Sequence, residues 1–239
     1  MHQIETQMNK LRLYGMARSW EAIKEARQLN NLSLSDGIAL MLQSEEQERD
    51  LRRYKRLEHA AAFRYRAAIE EVKTDPARGV DKSQILNLAS GSYIENGETV
   101  LITGATGCGK SFLASALGQQ ACMQGYKVAY YNTQKLLLKA KMARVEGSAI
   151  KFFDKLCKAD LLILDDFGLT HLDRQQQLDL MEIVEDRHAK KSTIIASQLP
   201  VPSWYDIIGE ATIADAILDR LIHTSHRIEI KGESLRKKR

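Results

Sequence analysis

The chain has 239 residues, of which 44% are hydrophobic and 28% charged, the ordinary make-up of a folded soluble protein with room for one large domain or a domain and a half. Its three cysteines, Cys108, Cys122 and Cys157, are scattered and form no CxxC, so they give neither a disulfide framework nor a zinc site. No apolar run is long enough to span a bilayer and the start MHQIETQMNK lacks a signal-peptide core, so a cytoplasmic protein without a membrane partner is expected; a net charge of +4 permits a polyanionic partner without requiring one.

The first seventy or so residues read as helices. Ile4, Met8 and Leu11 recur at helical spacing, Tyr14-Gly15 interrupts, and Met16, Trp20 and Ile23 resume. Asn30-Asn31 reads as a stop. Ser33 with Asp36 forms a weak capping box for a third helix that carries Ile38, Met41, Leu42, Leu51, Tyr54 and Leu57 and runs towards Ala68. The simplest use of that apolar stripe is packing. Lys73 to Asp81 is rich in turn residues, which places a boundary between a helical interaction domain, 1–72, and a second domain, 73–239.

Beyond the boundary, strands alternate with helices. Short apolar strands are expected at Val100–Thr103, Val128–Tyr131, Leu161–Leu164, Thr193–Ala196 and Arg227–Ile230. Continuous apolar runs suit strands covered on both faces, and the alternation predicts an α/β fold with a mostly parallel sheet.

Residues 104–111 read Gly-Ala-Thr-Gly-Cys-Gly-Lys-Ser, an unbroken GxxxxGKS between a strand and a helix starting near Phe112. Glycines let successive N–H groups turn inward around phosphate oxygens. Lys110 is placed to reach the outer phosphates and the Ser111 hydroxyl to ligate Mg2+. The expected nucleotide contacts are Gly104, Ala105, Thr106, Gly107, Cys108, Gly109, Lys110, Ser111 and Phe112, with Cys108 as loop filler rather than nucleophile. The apolar run Leu161–Leu164 then ends in Asp165-Asp166. Asp165 is the candidate second holder of Mg2+, and Asp166 the candidate to polarise the attacking water. Many ATPases of this broad type carry Glu at the second position; Asp is one methylene shorter. The interval between the two motifs holds an extra strand and helix, and no NKxD guanine reader is present, so ATP is the expected nucleotide. The strand ending in Ser197-Gln198 could set either side chain near the γ-phosphate.

The stretches LASGSYIENGETVLITGATGCGKS, LLILDDFG and ILDRLIHTSHRIEIKGESLR resemble the IstB-like transposition helper ATPases, relatives of the DnaC-type helicase loaders in the AAA+ class, over nearly the whole chain. The resemblance implies a five-stranded AAA+ core in the order 5-1-4-3-2 that assembles with its neighbours on DNA. It implies that Ser197 and Gln198 are the first sensor region and that Arg220 is an arginine finger acting on ATP held by the adjacent subunit. Arg236 falls where a second-sensor arginine could lie, although too few residues follow Ile230 for a helical lid. A guanidinium supplied in trans makes hydrolysis conditional on assembly, with an effect of about 10³ to 10⁵ in rate.

Two basic segments are candidates for double-stranded DNA, bound largely without sequence preference. One is the core helix with Lys135, Lys139, Lys141 and Arg144. The other is the end of the third N-terminal helix, where Arg52, Arg53 and Arg56 stand among Arg49, Lys55, Arg64 and Arg66. The expected protein is an ATP hydrolase that forms a homo-oligomer through ATP-bridged interfaces and helps a transposase engage target DNA. A DnaC-like helicase loader is the alternative. A small-molecule kinase requires an acceptor pocket and a lid that the sequence does not supply.

Overall fold

The computed structural model of the chain describes residues 2–26 and 32–235. The stop expected at Asn30-Asn31 and the arginine at 236 lie outside the described residues. The chain divides into two compact units, Met1–Arg56 and Leu57–Arg239. The division falls inside a long helix, ahead of the turn-rich stretch where the sequence pattern puts the boundary. The reason is that residues after the helix belong to the second unit: Ala61 and Ala67 are buried, and the Gln119 side chain donates to the Tyr65 carbonyl.

The first unit holds α1 (His2–Lys10), α2 (Tyr14–Glu25) and most of α3 (Leu34–Ala61). The break between α1 and α2 is at residues 11–13, where Arg12 takes a positive φ of 61°, and not at Tyr14-Gly15. Gly15 lies inside α2 because a Cβ there would overlap the Ser44 carbonyl of α3; the glycine permits a close helix crossing. At that crossing the buried Glu45 accepts from the Gly15 amide at 2.7 Å and the Met16 amide at 3.3 Å. It thus caps from a neighbouring helix the first turn of α2, whose amides have no intrahelical partner. Burial pushes the Glu45 carboxyl up, but the Arg49 guanidinium and these two amides outweigh it and hold the carboxyl below its ordinary range. Ser33 does cap α3, accepting from the Asp36 amide at 3.2 Å. The stripe expected to be packed is only partly so: Ile4, Leu11, Ile38, Leu42 and Leu51 stay exposed, because three helices do not cover all the apolar faces they present.

The second unit continues through two 3₁₀ turns to α4 (Lys82–Ala89), α5 (Ser92–Glu95), β1 (Thr99–Gly104), α6 (Lys110–Met123), β2 (Val128–Asn132), α7 (Thr133–Val145) and α8 (Ala149–Cys157). Then come β3 (Leu161–Phe167), α9 (Arg174–Arg187), β4 (Ser192–Ser197), α10 (Trp204–Ile208), α11 (Ala211–Ile222) and β5 (Ser225–Ile230). All strands pair in parallel, in the order β2-β3-β4-β1-β5, which is the expected 5-1-4-3-2 read from the other edge. Leu101, Leu162, Leu164 and Ile195 pack with α7 to α11 on one face. Their strand neighbours Val100, Ile102, Ile163 and Ile194 are equally buried towards the other face, which α6 covers. Both faces are therefore dry, and each fully buried aliphatic contributes roughly 1.5–3 kcal/mol. Arg187, 2% exposed, clamps this core by donating to the carbonyls of Leu156, Ala159 and Ser192 and to the Thr193 hydroxyl. Burial brings its pKa down to about 10, still charged at neutral pH.

The depressed carboxyl of Glu45 gives a signed prediction. Its contribution to folding is present above the ordinary Glu range and is lost as pH falls through its lower folded pKa. Glu45→Gln should destabilise the first unit by about 1–3 kcal/mol at pH 7 and by less at pH 4. Urea unfolding followed by Trp20 fluorescence in a Trp204→Phe background reads this out.

Candidate active site

The phosphate loop is built where β1 hands over to α6. Gly104, Gly107 and Gly109 take positive φ values of 147°, 82° and 111°, so the backbone curls as the motif requires. At Gly104 a Cβ would also overlap the Ile230 carbonyl of β5, so the glycine serves strand packing as well as loop shape. Lys110 is buried and its ammonium donates to the carbonyls of Gly104 at 2.8 Å and Ala105 at 2.9 Å. Cys108 is buried too, consistent with a filling role. Ala105 and Thr106 form the exposed crest of the loop, and Ser111 and Phe112 stand in the first turn of α6.

The acids sit at a β-bulge. The β3–β4 register shifts between Leu164 and Phe167, and Asp166 takes a φ of 56°, a left-handed conformation that aspartate tolerates better than most residues. The bulge interrupts the β3–β4 ladder at the two acids, while Asp165 stays in register with Asn132 of β2. Asp165 is 1% exposed. Its Oδ1 accepts from the Ser111 hydroxyl and from the Asp166 amide, each at 2.9 Å; its Oδ2 accepts from the Tyr130 hydroxyl and from Arg64 Nη1 at 3.3 Å. The structure thus brings Ser111 of one motif and Asp165 of the other into direct contact. A hydroxyl and a carboxylate are hard oxygen donors, and that set suits Mg2+ completed by phosphate oxygens and water.

Asp166 accepts from Arg64 at 2.9 Å and from the Asn132 side-chain amide at 3.0 Å, both on Oδ2. Asn132 has a second task, since its Oδ1 accepts from the Lys135 amide and caps α7. Tyr130, Asn132 and Arg64 are site residues that sequence reasoning misses. The first two have a signal: β2 runs parallel to β3, with Asn132 in register with Asp165, so the end of β2 must face the acids. Burial, and then the bond to Asp165, raise the Tyr130 pKa, so its hydroxyl remains a donor.

The remaining expected residues divide. Gln198 reaches the loop, its Oε1 accepting from the Thr106 hydroxyl at 2.6 Å. Ser197 does not: it is fully buried, and its hydroxyl donates to the Phe167 carbonyl at 2.8 Å and accepts from the Leu199 amide, fixing the strand end that presents Gln198. Arg220 lies on α11, pairs with Glu185 of α9 at 2.5 Å and donates to the Ala216 carbonyl at 2.9 Å. Its side chain remains a quarter exposed, at 25%.

Among the basic residues, Lys135, Lys139 and Lys141 are exposed on α7. Arg144 is committed inside the chain, pairing with the buried Asp179 at 2.6 Å and with Glu182 at 3.1 Å. In the first unit Arg52 pairs with Glu48 at 2.8 Å and lies over the Tyr14 ring, while Arg53 and Arg56 are exposed. Free run of the whole cluster for a polyanion is therefore not what the structure provides: the carboxylates of α3 and α9 take part of it.

Comparison with known proteins agrees with this geometry. IstB-like ATP binding proteins match residues 6–239. An insertion sequence ATP-binding protein of Sinorhizobium fredii is 39% identical over 236 residues, covering 99% of this chain and 96% of that one. The IS21 insertion sequence ATP-binding protein of Pseudomonas aeruginosa is 28% identical across 100% of this chain and 90% of its own. Among solved structures, the DnaC helicase loader superposes with a TM-score of 0.58 at 20% identity, over 69% of this chain and 97% of that one. AMPPCP-bound DnaA from Aquifex aeolicus gives 0.57 at 22% identity, over 70% and 50%. These two share the fold. With its phosphate loop, its acidic bulge and relatives matching end to end, the chain belongs to the IstB-like ATP-binding proteins of insertion sequences.

Proposed function

We propose that this protein is an Mg2+-dependent ATP hydrolase that assembles on double-stranded DNA through ATP-bridged interfaces and helps a transposase engage its target. The observation that carries the ATPase reading is the 2.9 Å contact between Ser111 and Asp165, which joins the two motifs at one point. Mg2+ held there supplies charge neutralisation at the phosphates. The chain's own residues do the rest. Loop amides and Lys110 bind the phosphates, Gln198 orients the loop crest, and Asp166 polarises the attacking water. The transposition reading rests on the family and on relatives named as insertion sequence ATP-binding proteins. Localisation follows that reading and is cytoplasmic. The two-domain division of labour, helical interaction unit and ATPase core, is supported by the exposed aliphatics of the first unit.

Arg220 is the candidate finger. Its pairing with Glu185 holds the guanidinium on a half-open surface, and Glu185 is 53% exposed, so the pair can be exchanged for a phosphate of a neighbouring subunit at small cost. DNA contact is assigned to α7. Lys135, Lys139 and Lys141 stand there beside Leu138, Met142 and Val145, aliphatics 57%, 53% and 84% exposed that recur at helical spacing along one stripe. Lysines of this kind track a phosphate backbone without reading bases.

The decisive measurement is ATP turnover against protein concentration, with and without duplex DNA. Turnover per subunit should rise steeply with concentration and with DNA, and Arg220→Ala should lower it by about 10³-fold while ATP binding persists. Turnover per subunit that is independent of concentration, DNA and Arg220 would sink the assembly mechanism.

A second comparison separates the α7 residues. Replacing Lys135, Lys139 and Lys141 together by Ala should flatten the salt dependence of duplex binding, by about one unit of slope for each phosphate the helix no longer neutralises, and leave the melting temperature nearly unchanged. Arg144→Ala should instead lower stability by about 3 kcal/mol, because it leaves the buried Asp179 charge without its cation. Calorimetry and binding titrations on the same proteins distinguish the two effects.

A further inference from the structure

Arg64 looks in sequence like one more member of a basic run, yet it is the cation of the acidic pair. α3 ends at Ala61, and Ala62 takes a φ of 55°, which breaks the helix there. The next residues are pinned on both sides of Arg64. The Phe63 ring packs edge-on against Tyr130, with centroids 6.1 Å apart, and the Gln119 amide of α6 donates to the Tyr65 carbonyl at 2.9 Å. The backbone of Arg64 is thus fixed by the two elements that flank the site, β2 and α6. From there one guanidinium nitrogen, Nη1, lies 2.9 Å from Asp166 Oδ2 and 3.3 Å from Asp165 Oδ2. The side chain is 43% exposed, so it is held by these contacts and not entombed.

The contact matters because of what each carboxylate is asked to do. Asp165 must offer an oxygen to a divalent cation, and a guanidinium within hydrogen-bond distance competes with that cation for the same charge. Asp166 must offer an oxygen to a water, and its Oδ2 is already taken by Arg64 and Asn132. Lys110 and the loop amides already supply positive charge to the phosphates, so Arg64 is not needed there.

We infer that Arg64 is a positioning residue that restrains the acidic pair, opposing metal at Asp165 and withholding Asp166 Oδ2 from water until the Phe63–Tyr65 segment shifts. Arg64 follows the end of α3 through Ala62 and Phe63 alone, so a displacement of the last turn of that helix that dislodges the Phe63 anchor would also move the guanidinium. A partner that pulls on α3 would thereby release hydrolysis. The inference rests on the Mg2+–ATP reading of the site.

The test uses the full chain and a readout without turnover: binding of a fluorescent, non-hydrolysable ATP analogue as Mg2+ is titrated. Arg64→Ala should lower the Mg2+ concentration for half-maximal binding by about threefold, the size expected for removing a partly exposed ion pair. Arg64→Lys, which keeps the charge, should restore the wild-type value. Basal ATP turnover in dilute protein should rise in Arg64→Ala in the same order. If Arg64→Ala does not fold, as judged by its melting curve, Arg64→Met keeps the aliphatic stem and carries the same expectation. An unchanged Mg2+ midpoint would overturn the inference, and so would a selective fall in affinity for the ATP analogue over ADP, which would make Arg64 a phosphate ligand. A wild-type protein that binds no Mg2+–ATP at all would overturn the nucleotide reading itself, a result the Arg64 variants cannot mimic.

Discussion

A carboxylate with 1% exposure has to be compensated, and the compensation of Asp165 organises the site. Four donors converge on its two oxygens: the Ser111 hydroxyl, the Tyr130 hydroxyl, the Asp166 amide and the Arg64 guanidinium. They come from α6, β2, β3 itself and the segment after α3, so one buried charge ties together the elements that must hold nucleotide. Thr133 at the head of α7 adds a bond to the Asp165 carbonyl at 2.9 Å. The dry sheet is what makes this matter. In a wetter site each donor would be replaceable by water, and the geometry would not be shared among distant parts of the chain.

The same arrangement explains what can be read from the sequence. The phosphate loop is legible because its chemistry is local: glycines with positive φ, a lysine and a serine must occur at fixed spacing for the backbone to curl. The acidic end of β3 is legible for a related reason, since a run buried on both faces makes the first charged residues conspicuous. The sheet order comes with the family resemblance. Asn132 requires one further step, the register of two parallel strands, which a sequence contains only implicitly. Arg64 is not legible at all. It is separated from the acids it touches by 101 and 102 positions, and the basic run in which it stands makes it look like surface. Gly15 misleads because a glycine that breaks a helix and one that lets two helices touch leave the same mark in sequence.

The arginines show why charge runs are poor guides. Arg144 is spent on Asp179, Arg52 on Glu48, Arg49 on Glu45, and Arg187 on backbone carbonyls in the core. The first three read in sequence as available cations. What decides availability is the position of carboxylates: Glu45 and Glu48 lie one turn away on the same helix, whereas Asp179 is brought to Arg144 by the packing of α9 against α7. Lys135, Lys139 and Lys141 of α7 remain exposed, with Lys139 lying over the Tyr131 ring.

A guanidinium stays protonated at any physiological pH, so a protein cannot switch it off by titration and can regulate it only by choosing what it faces. Arg220 faces Glu185 within its own chain, on a pair half open to solvent, where a more concentrated negative charge can displace the carboxylate. Arg64 faces Asp165 and Asp166, where a divalent cation is the natural competitor. The two contacts have opposite logic. On the proposed mechanism the first would be exchanged when a neighbouring subunit brings phosphate, which would place positive charge where the transition state develops negative charge. On the same proposal the second would be exchanged when the Phe63–Tyr65 segment shifts, which would remove positive charge from the groups that would hold metal and water. Hydrolysis governed by both would then require assembly to engage Arg220 and a shift of the Phe63–Tyr65 segment to withdraw Arg64.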